Sequence, residues 1–321
     1  MSAAPPRLLS SEEEQRLGAE GVRVAREALE RLEAGLRTLP DKPEETTISA
    51  LRALWSLAGG HAVSATLAPG TPLHPLGTAE TERFRQLIER RLAGDPLAHL
   101  TERQHFMGLE MLAGPGALIP RRETEIVGHA AVRLARRLAE AQGQVLVVDV
   151  CTGSGNVAAA VAVSEPRAQV LASDLAEDAV ALAERNMAHL GVASRVTLRT
   201  GDLLAPFETP EYLGHVDLLT CNPPYISTGR TAEMPTEIAQ HEPKLAFDGG
   251  PLGIRILQRL IREAPRLLRP GGWLAFEVGL GQGPSVGQRL QRSGDYAEVE
   301  SLTDEAGNVR VLVARTADRP R

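Results

Sequence analysis

The chain has 321 residues, of which 43% are apolar, so it is long enough for one large domain or two modest domains with a buried core. Its formal net charge of −6 argues against a broad phosphate-binding face, because non-specific affinity for nucleic acids comes mostly from clustered Lys and Arg. We therefore expect no stable nucleic-acid partner.

No stretch of the sequence has the pattern of a targeting or membrane segment. Met1–Glu13 lacks an apolar centre after a basic start, and no later run approaches the roughly 20 uncharged apolar residues that a membrane span needs. The two cysteines and eight histidines show no metal-ligand spacing. These features predict a cytoplasmic protein with no membrane partner and no metal site.

Residues 1–95 predict a small all-helical domain. Three helices are expected from apolar spacing: Glu12 to about Leu36, about Thr47–Ala58, and a third that begins with Thr78 as its N-cap. Residues 96–122 change character, and alternating apolar positions around Phe106–Met111 suggest that this range is a hairpin linker.

Strands and helices alternate over residues 123–321. The predicted strands are Val145–Val150, Val170–Ser173, Val196–Leu198, Val216–Cys221, Trp273–Val278, about Ala297–Leu302 and Val309–Val313. The predicted helices are about Thr124–Glu140, Asn156–Val163, Ala176–Leu190 and Gly253–Leu268, and the turn Arg269–Gly272 follows the last of them. This alternation predicts an α/β fold, with a mostly parallel seven-stranded sheet covered by helices on both faces.

Residues at the ends of the first three strands indicate a cofactor site. The glycines of Asp149–Gly155, between the first strand and a helix, allow a close backbone approach to a ligand. Asp174 ends the second strand, where a carboxylate can accept hydrogen bonds from ribose hydroxyls, and Asp202 after the third strand could accept from an adenine amino group. The glycine loop alone also fits a dinucleotide-binding pattern.

The fourth strand is followed by Asn222-Pro223-Pro224-Tyr225. The Asn222 side-chain oxygen and the Pro223 carbonyl could accept the two N–H groups of a planar amide or amine, in a loop stiffened by the prolines. Tyr225 offers a flat face for the same group, and its hydroxyl is free for a polar partner. Together with the three carboxylates, this quartet favours an S-adenosylmethionine-dependent methyltransferase, which releases S-adenosylhomocysteine, over a dinucleotide enzyme.

From about Phe84 to Arg315 the sequence resembles the HemK-type protein-(glutamine N5) methyltransferases. The match includes the quartet and three further segments, Leu118–Glu125, His241–Ala246 and Gly249–Gly253. The resemblance implies a Rossmann-like catalytic domain behind a helical substrate-recognition domain. It also implies the substrate, which is the glutamine of the Gly-Gly-Gln tip in class I peptide release factors.

The resemblance and the strand-end residues together give the expected site. The expected cofactor contacts are Phe106, Asp149, Thr152, Gly153, Gly155, Asp174, Leu175, Asp202, Leu203 and Asn222. The expected substrate contacts are Asn222, Pro223, Pro224, Tyr225 and Glu242, and three of them, Asn222, Pro223 and Tyr225, are the expected catalytic residues.

The sequence departs from the family pattern at four positions, His99, Glu102, Arg122 and Cys151, the last of which replaces a loop glycine. These departures leave open a small-molecule methyltransferase that kept the catalytic sheet. A nucleic-acid adenine methyltransferase would use the quartet to hold a flipped base, but the acidic charge and the 3% aromatic content disfavour it. A non-catalytic cofactor-binding adaptor is disfavoured by the intact quartet.

Overall fold

The computed structural model describes residues 8–230 and 234–318. The chain divides by compactness into two units, and the division lies between His105 and Phe106. The ends of the predicted ranges 1–95 and 123–321 extend into residues 1–7 and 319–321, which lie outside the described residues. Within the described part of the chain, none of the helices is both long and apolar enough to cross a membrane.

The first unit is helical. Its helices are α1 (Ser11–Gly35), α2 (Thr47–Ala58), α3 (Thr78–Leu92) and α4 (Leu97–Thr101). A buried ion pair of 2.6 Å between Arg52 and Glu13 joins α2 to α1, and the ring of Trp55 packs edge-on against Phe84 of α3. The three predicted helices therefore form, and they share one apolar core.

The start of α3 differs from the prediction. Thr78 was expected as the N-cap, but it is the first helical residue and Gly77 is the N-cap. The Glu80 side chain accepts a hydrogen bond from the Gly77 backbone N–H at 2.7 Å. A carboxylate three residues after the cap can thus satisfy a terminal N–H group, so Thr78 was the wrong choice of cap.

The predicted hairpin is present as two short strands, β1 (Arg103–Phe106) and β2 (Leu109–Leu112). The second unit then contains a seven-stranded sheet. Its strands are β3 (Val145–Val150), β4 (Ala168–Asp174), β5 (Val196–Thr200), β6 (Val216–Cys221), β7 (Leu268–Glu277), β8 (Tyr296–Thr303) and β9 (Val309–Thr316). Its helices are α5 (Glu125–Gln142), α6 (Asn156–Ser164), α7 (Glu177–His189), α8 (Thr236–His241), α9 (Arg255–Leu267) and α10 (Gly283–Ser293).

The sheet has the order β5-β4-β3-β6-β7-β9-β8. The first five strands in this order are parallel, and β9 pairs antiparallel with both β7 and β8. The prediction of a mostly parallel α/β sheet is confirmed. Side chains of β3 enter two separate apolar clusters, Val145 and Val147 in one, Val148 and Val150 in the other, so both faces of the sheet are covered.

Several local features differ from the predictions, among them the short helices α4 and α8, which were not predicted. Arg269–Gly272, expected as a turn, lies inside β7, where the pairing with β6 shifts register between Val216 and Leu218. Gly271 has φ of 71°, which lets the backbone make this irregularity without leaving the sheet. Helix α10 was not predicted, because its start, Gly283-Pro284-Ser285, has few helix-forming residues.

The strand order places the site. The chain runs outward from β3 to β4 and β5 on one side, and from β6 to β7 on the other. The carboxyl ends of these parallel strands share one edge, and a crevice opens where the order reverses, between β3 and β6. The residues that follow β3, β4, β5 and β6 are therefore gathered at that edge.

Candidate active site

A cavity at the carboxyl edge of the sheet is lined by residues of the second unit only. The lining residues are Gly116, Ala117, Leu118, Cys151, Gly153, Asp174, Leu175, Ala176, Ala179, Asp202, Leu203, Asn222, Pro224, Pro243, Leu245, Ala246 and Ile256. Six of the expected cofactor residues are among them: Gly153, Asp174, Leu175, Asp202, Leu203 and Asn222. Apolar side chains with two carboxylates suit a ligand that has both a flat apolar part and polar hydroxyl or amino groups.

The loop after β3 is held to β4 by its backbone. The Gly153 N–H donates to Asp174 Oδ2 at 2.9 Å, and the other carboxylate oxygen accepts from the Ala176 N–H at 3.0 Å. Gly153 has φ of 54°, and a Cβ added there would meet none of the described atoms within 4 Å. The backbone at Gly153 is thus open on the side of the cavity, as close approach of a ligand requires.

Asp149 lies beneath this loop. Its two carboxylate oxygens accept hydrogen bonds from the hydroxyls of Thr152 and Thr220, both at 2.6 Å. Burial raises the pKa of Asp149 to about 6, although the two hydroxyls and a backbone N–H oppose that shift. Both Asp149 and Thr152 are buried and lie outside the lining of the cavity, and their hydrogen bonds support the loop; cofactor contact by these two residues stays a prediction.

Two other expected cofactor contacts are placed elsewhere. Phe106 is 1% exposed and belongs to the apolar core beside α5. A Cβ on Gly155 would come within 2.8 Å of the Met187 side chain and 3.1 Å of Ala183, so this glycine allows α6 and α7 to pack closely. Phe106 and Gly155 are thus outside the lining of the cavity, and cofactor contact by these two residues stays a prediction.

Asp202 lines the cavity and is also paired. Both of its carboxylate oxygens accept from Arg259 Nη1 of α9, at 3.0 and 2.9 Å. About half of its side chain, 54%, is exposed, so the carboxylate reaches the rim of the cavity as well as the arginine.

The Asn222–Tyr225 quartet follows β6 at the same edge. Asn222 and Pro224 line the cavity, whereas Pro223 is buried and lies outside the described lining. Asn222 Nδ2 donates to Thr124 Oγ1 at 3.1 Å. The Tyr225 hydroxyl, which was expected to be available to a polar partner, donates to Glu277 Oε1 at 3.0 Å. Burial raises the pKa of Tyr225 well above its ordinary value, so the hydroxyl keeps its proton.

Glu277, at the end of β7, is fully buried and joins these residues. Its other oxygen, Oε2, accepts from Thr124 Oγ1 at 2.8 Å, and Arg310 of β9 lies 3.4 Å from Oε1. Burial raises the pKa of Glu277 to about 6, against the opposing effects of Thr124, Arg310 and Tyr225. No sequence pattern predicted the roles of Thr124, Glu277 and Arg310. The available indication was a charged residue, Glu277, inside the apolar run Trp273–Val278.

The loop that follows the quartet is closed at its base. The Gln282 amide donates to the carbonyls of Tyr225 and Gly253, at 3.0 and 3.3 Å, and accepts from the Gly279 N–H at 2.9 Å. Ile226 and Asp248 form an isolated bridge that joins the two ends of the loop. A Cβ on Gly253 would lie 2.2 Å from the Tyr225 carbonyl oxygen, so a glycine is required there.

Glu242 was expected to contact the substrate. In the structure Glu242 Oε1 accepts from Arg121 Nη2 at 2.6 Å, and Oε2 accepts from the Ile119 N–H at 3.0 Å. The Glu242 side chain is 0% exposed. Both oxygens are therefore used in holding two segments of the second unit together, and this geometry gives no support to a substrate contact.

Comparison with known proteins agrees with this geometry. A family model described as the methyltransferase small domain matches residues 125–254. The hMettl16 catalytic domain, solved in complex with the MAT2A 3'UTR hairpin 6, superimposes with a TM-score of 0.51 at 14% identity, over 66% of this chain and 77% of that chain, which shows the shared fold. The fold and the cavity define an S-adenosylmethionine-dependent methyltransferase.

The sequence relatives are more specific. The chain is 41% identical to the release factor glutamine methyltransferase of Moorella thermoacetica, over 74% of this chain and 81% of the relative. It is 38% identical to the enzyme of the same name from Streptomyces coelicolor, over 76% and 85%. It is 32% identical to the enzyme of the same name from Bacillus subtilis, over 75% of this chain and 82% of the relative. The chain belongs to the release factor glutamine methyltransferase family.

Proposed function

We propose that this enzyme methylates the side-chain amide nitrogen of a glutamine, and that the glutamine belongs to the Gly-Gly-Gln tip of a peptide release factor. The observation that carries the proposal is that Asn222 and Pro224 line the same cavity as Gly153, Asp174 and Asp202. An amide-holding loop thus lies beside a nucleotide-type loop. The names of the relatives support the choice of a release factor.

The cavity residues suit S-adenosylmethionine. Asp174 would accept hydrogen bonds from the ribose hydroxyls, and Leu175 and Leu203 would pack against the adenine. Asp202 would accept from the adenine amino group while keeping its contact with Arg259. The cofactor supplies a methyl group on a sulfonium: transfer forms a C–N bond, breaks the C–S bond and leaves the thioether S-adenosylhomocysteine.

The chain's own residues act on the acceptor. An amide nitrogen is a poor nucleophile because its lone pair is delocalised, so the enzyme must hold the N–H groups and aim the lone pair. Asn222 Oδ1 and the Pro223 carbonyl would accept the two N–H groups, and the ring of Tyr225 would lie against the amide plane. Positioning then supplies most of the rate, and the nitrogen loses a proton to water after it gains the methyl group.

The helical first unit would recognise the protein substrate, as the family resemblance implies, with the predicted division into 1–95, 96–122 and 123–321. The proposed partner is a release factor, with no stable nucleic-acid or membrane partner. The cytoplasmic location predicted from the sequence is proposed as well, and it fits a release factor as the substrate.

The test is incubation with methyl-labelled S-adenosylmethionine and a release factor. Label is expected on the wild-type factor and absent from a matched factor whose Gly-Gly-Gln glutamine is replaced by alanine. Parallel incubations with a small-molecule extract and with an adenine-containing oligonucleotide address the other candidates. Label on the small molecules or the oligonucleotide, and none on the factor, would overturn the proposed substrate.

The role of the quartet is tested by Asn222→Ala. We expect turnover to fall by about 10²-fold or more, as loss of one aimed polar group does in other enzymes, while cofactor affinity changes much less. Isothermal titration with S-adenosylmethionine and steady-state kinetics measure the two quantities separately. If Asn222→Ala instead loses cofactor binding and its turnover changes little, this division of roles is wrong.

A further inference from the structure

We propose that Thr124 and Glu277 are positioning residues that decide which end of the Asn222 carboxamide faces the methyl acceptor. The inference rests on the proposed function, because it concerns how that site holds an amide nitrogen. Neither residue lines the cavity. They act through Asn222 and Tyr225, which are the residues placed against the acceptor.

Glu277 acts only as a hydrogen-bond acceptor in this network. This residue is 0% exposed, and each of its oxygens receives a hydroxyl: Oε2 from Thr124 and Oε1 from Tyr225. Arg310 is close to the same carboxylate and to Glu123, at 3.4 and 3.7 Å. A carboxylate beside a guanidinium is an acceptor only, so both hydroxyls must donate their protons to it.

Thr124 can therefore only accept a hydrogen bond from Asn222. A hydroxyl carries one proton, and that of Thr124 is used on Glu277, so only lone pairs remain to face Asn222. The group of Asn222 that meets Thr124 Oγ1 must therefore be the donor Nδ2, at 3.1 Å. The Asn222 side-chain oxygen is then left for the cavity that Asn222 lines.

These hydrogen bonds favour one of the two orientations of the Asn222 carboxamide. With Oδ1 toward the acceptor, an N–H group of the substrate amide finds a hydrogen-bond acceptor. In the flipped orientation two donors would face each other, Nδ2 and the N–H of the substrate. Two acceptors would also face each other, Oδ1 and the lone pairs of the Thr124 oxygen. Both contacts are unfavourable, because each leaves a polar group without a hydrogen-bond partner.

Replacements at Thr124 separate this role from packing. Thr124→Val keeps the shape and removes the hydroxyl, and we expect kcat to fall at least 10-fold, with less than a 3-fold change in KM for S-adenosylmethionine. Thr124→Ser, the matched control, keeps the hydroxyl and should keep kcat within 3-fold of wild type. A valine variant with wild-type kcat, or a serine variant as slow as the valine, overturns the inference.

Replacement of Glu277 tests the polarity directly. In Glu277→Gln one oxygen becomes an NH₂ group. Arg310 lies 3.4 Å from Oε1 and needs an acceptor there, so the NH₂ group takes the Oε2 position and faces the Thr124 hydroxyl. The Thr124 proton then turns toward Asn222 and favours the flipped carboxamide. We expect kcat to fall at least 10-fold. The thermal midpoint should fall as well, because the buried Arg310 keeps its charge and loses the Glu277 carboxylate at 3.4 Å, so kcat is measured well below that midpoint. An unchanged kcat contradicts the inference.

A measurement without catalysis keeps the inference separate from the proposed function. The Asn222 side-chain NH₂ can be assigned in an amide NMR spectrum from its loss in Asn222→Asp. We expect Thr124→Val to shift that signal and to speed its hydrogen exchange, and Thr124→Ser to leave it near its wild-type position. An unmoved signal in the valine variant refutes the positioning role, whereas wild-type enzyme that methylates no glutamine refutes the proposed function alone.

Discussion

Removal of the Glu242 carboxylate gives the sharpest prediction about the second unit. Glu242 is 0% exposed, and its partner Arg121 is 7% exposed, at 2.6 Å. Glu242→Ala leaves the guanidinium and the Ile119 N–H without this acceptor, away from water. Breaking one side of a buried ion pair costs about 3–5 kcal/mol, because the remaining charge loses the carboxylate that compensated it.

The expected magnitude is large enough to measure directly. For a domain of this size, about 1 kcal/mol shifts the melting temperature by roughly 2–4 °C, so Glu242→Ala should lower it by about 6–20 °C. Differential scanning calorimetry measures the shift. The matched control is Glu305→Ala, which removes a carboxylate that is 93% exposed and 3.2 Å from Arg122. Loss of that exposed pair should change stability by no more than about 1 kcal/mol.

A double variant separates the charge from the packing. Arg121→Met with Glu242→Ala removes both charges, and we expect it to regain at least half of the stability lost in Glu242→Ala alone. The reasoning is refuted if Glu242→Ala melts within 2 °C of wild type and instead raises KM for the protein acceptor. That outcome would restore the sequence-based expectation that Glu242 contacts the substrate.

Two further predictions concern the loop after β3. Cys151 has φ of 55°, a strained value for a non-glycine residue. The free energy of unfolding in urea should therefore be about 1 kcal/mol higher for Cys151→Gly than for Cys151→Ala, which keeps the strain. Equal free energies of unfolding would contradict this. Burial raises the pKa of Asp149 from 3.8 to about 6, so the folded chain keeps a proton that the unfolded chain releases, and stability falls as pH rises from about 4 through 6. Between pH 4 and 7 the wild type should lose about 2 kcal/mol more than Asp149→Asn, and a difference between the two that does not vary with pH would refute the assignment.

The sheet and the strand-end residues could be predicted because their information is local. The strand bounds of β3 and β6 follow from short apolar runs, and both were predicted to the residue. Asp174 and Asp202 end or follow neighbouring parallel strands, so strand order alone brings them to one edge. Periodicity and topology were sufficient for these features.

The network behind Asn222 could not be predicted, because its members are distant in sequence. Thr124 and Glu277 are separated by 153 residues, and Arg310 lies on an antiparallel strand whose register no local pattern gives. The same holds for Glu242, which meets Arg121 across 121 residues. Family resemblance marked the segments that contain Glu242 and Thr124, but it did not say that one anchors loops and the other contacts Asn222.

The closed base of the segment after the quartet has a consequence for evolution and design. The Ile226–Asp248 bridge and the Gln282 amide fix both flanks of residues 227–247, and Glu242 within that range is anchored to Arg121, so changes of length in the stretch between Ile226 and Glu242 need not displace Asn222. Related enzymes could therefore change the length or sequence of this stretch to bind new acceptors while keeping the catalytic residues in place. An experimenter could use the same stretch to graft a peptide tag or a recognition element.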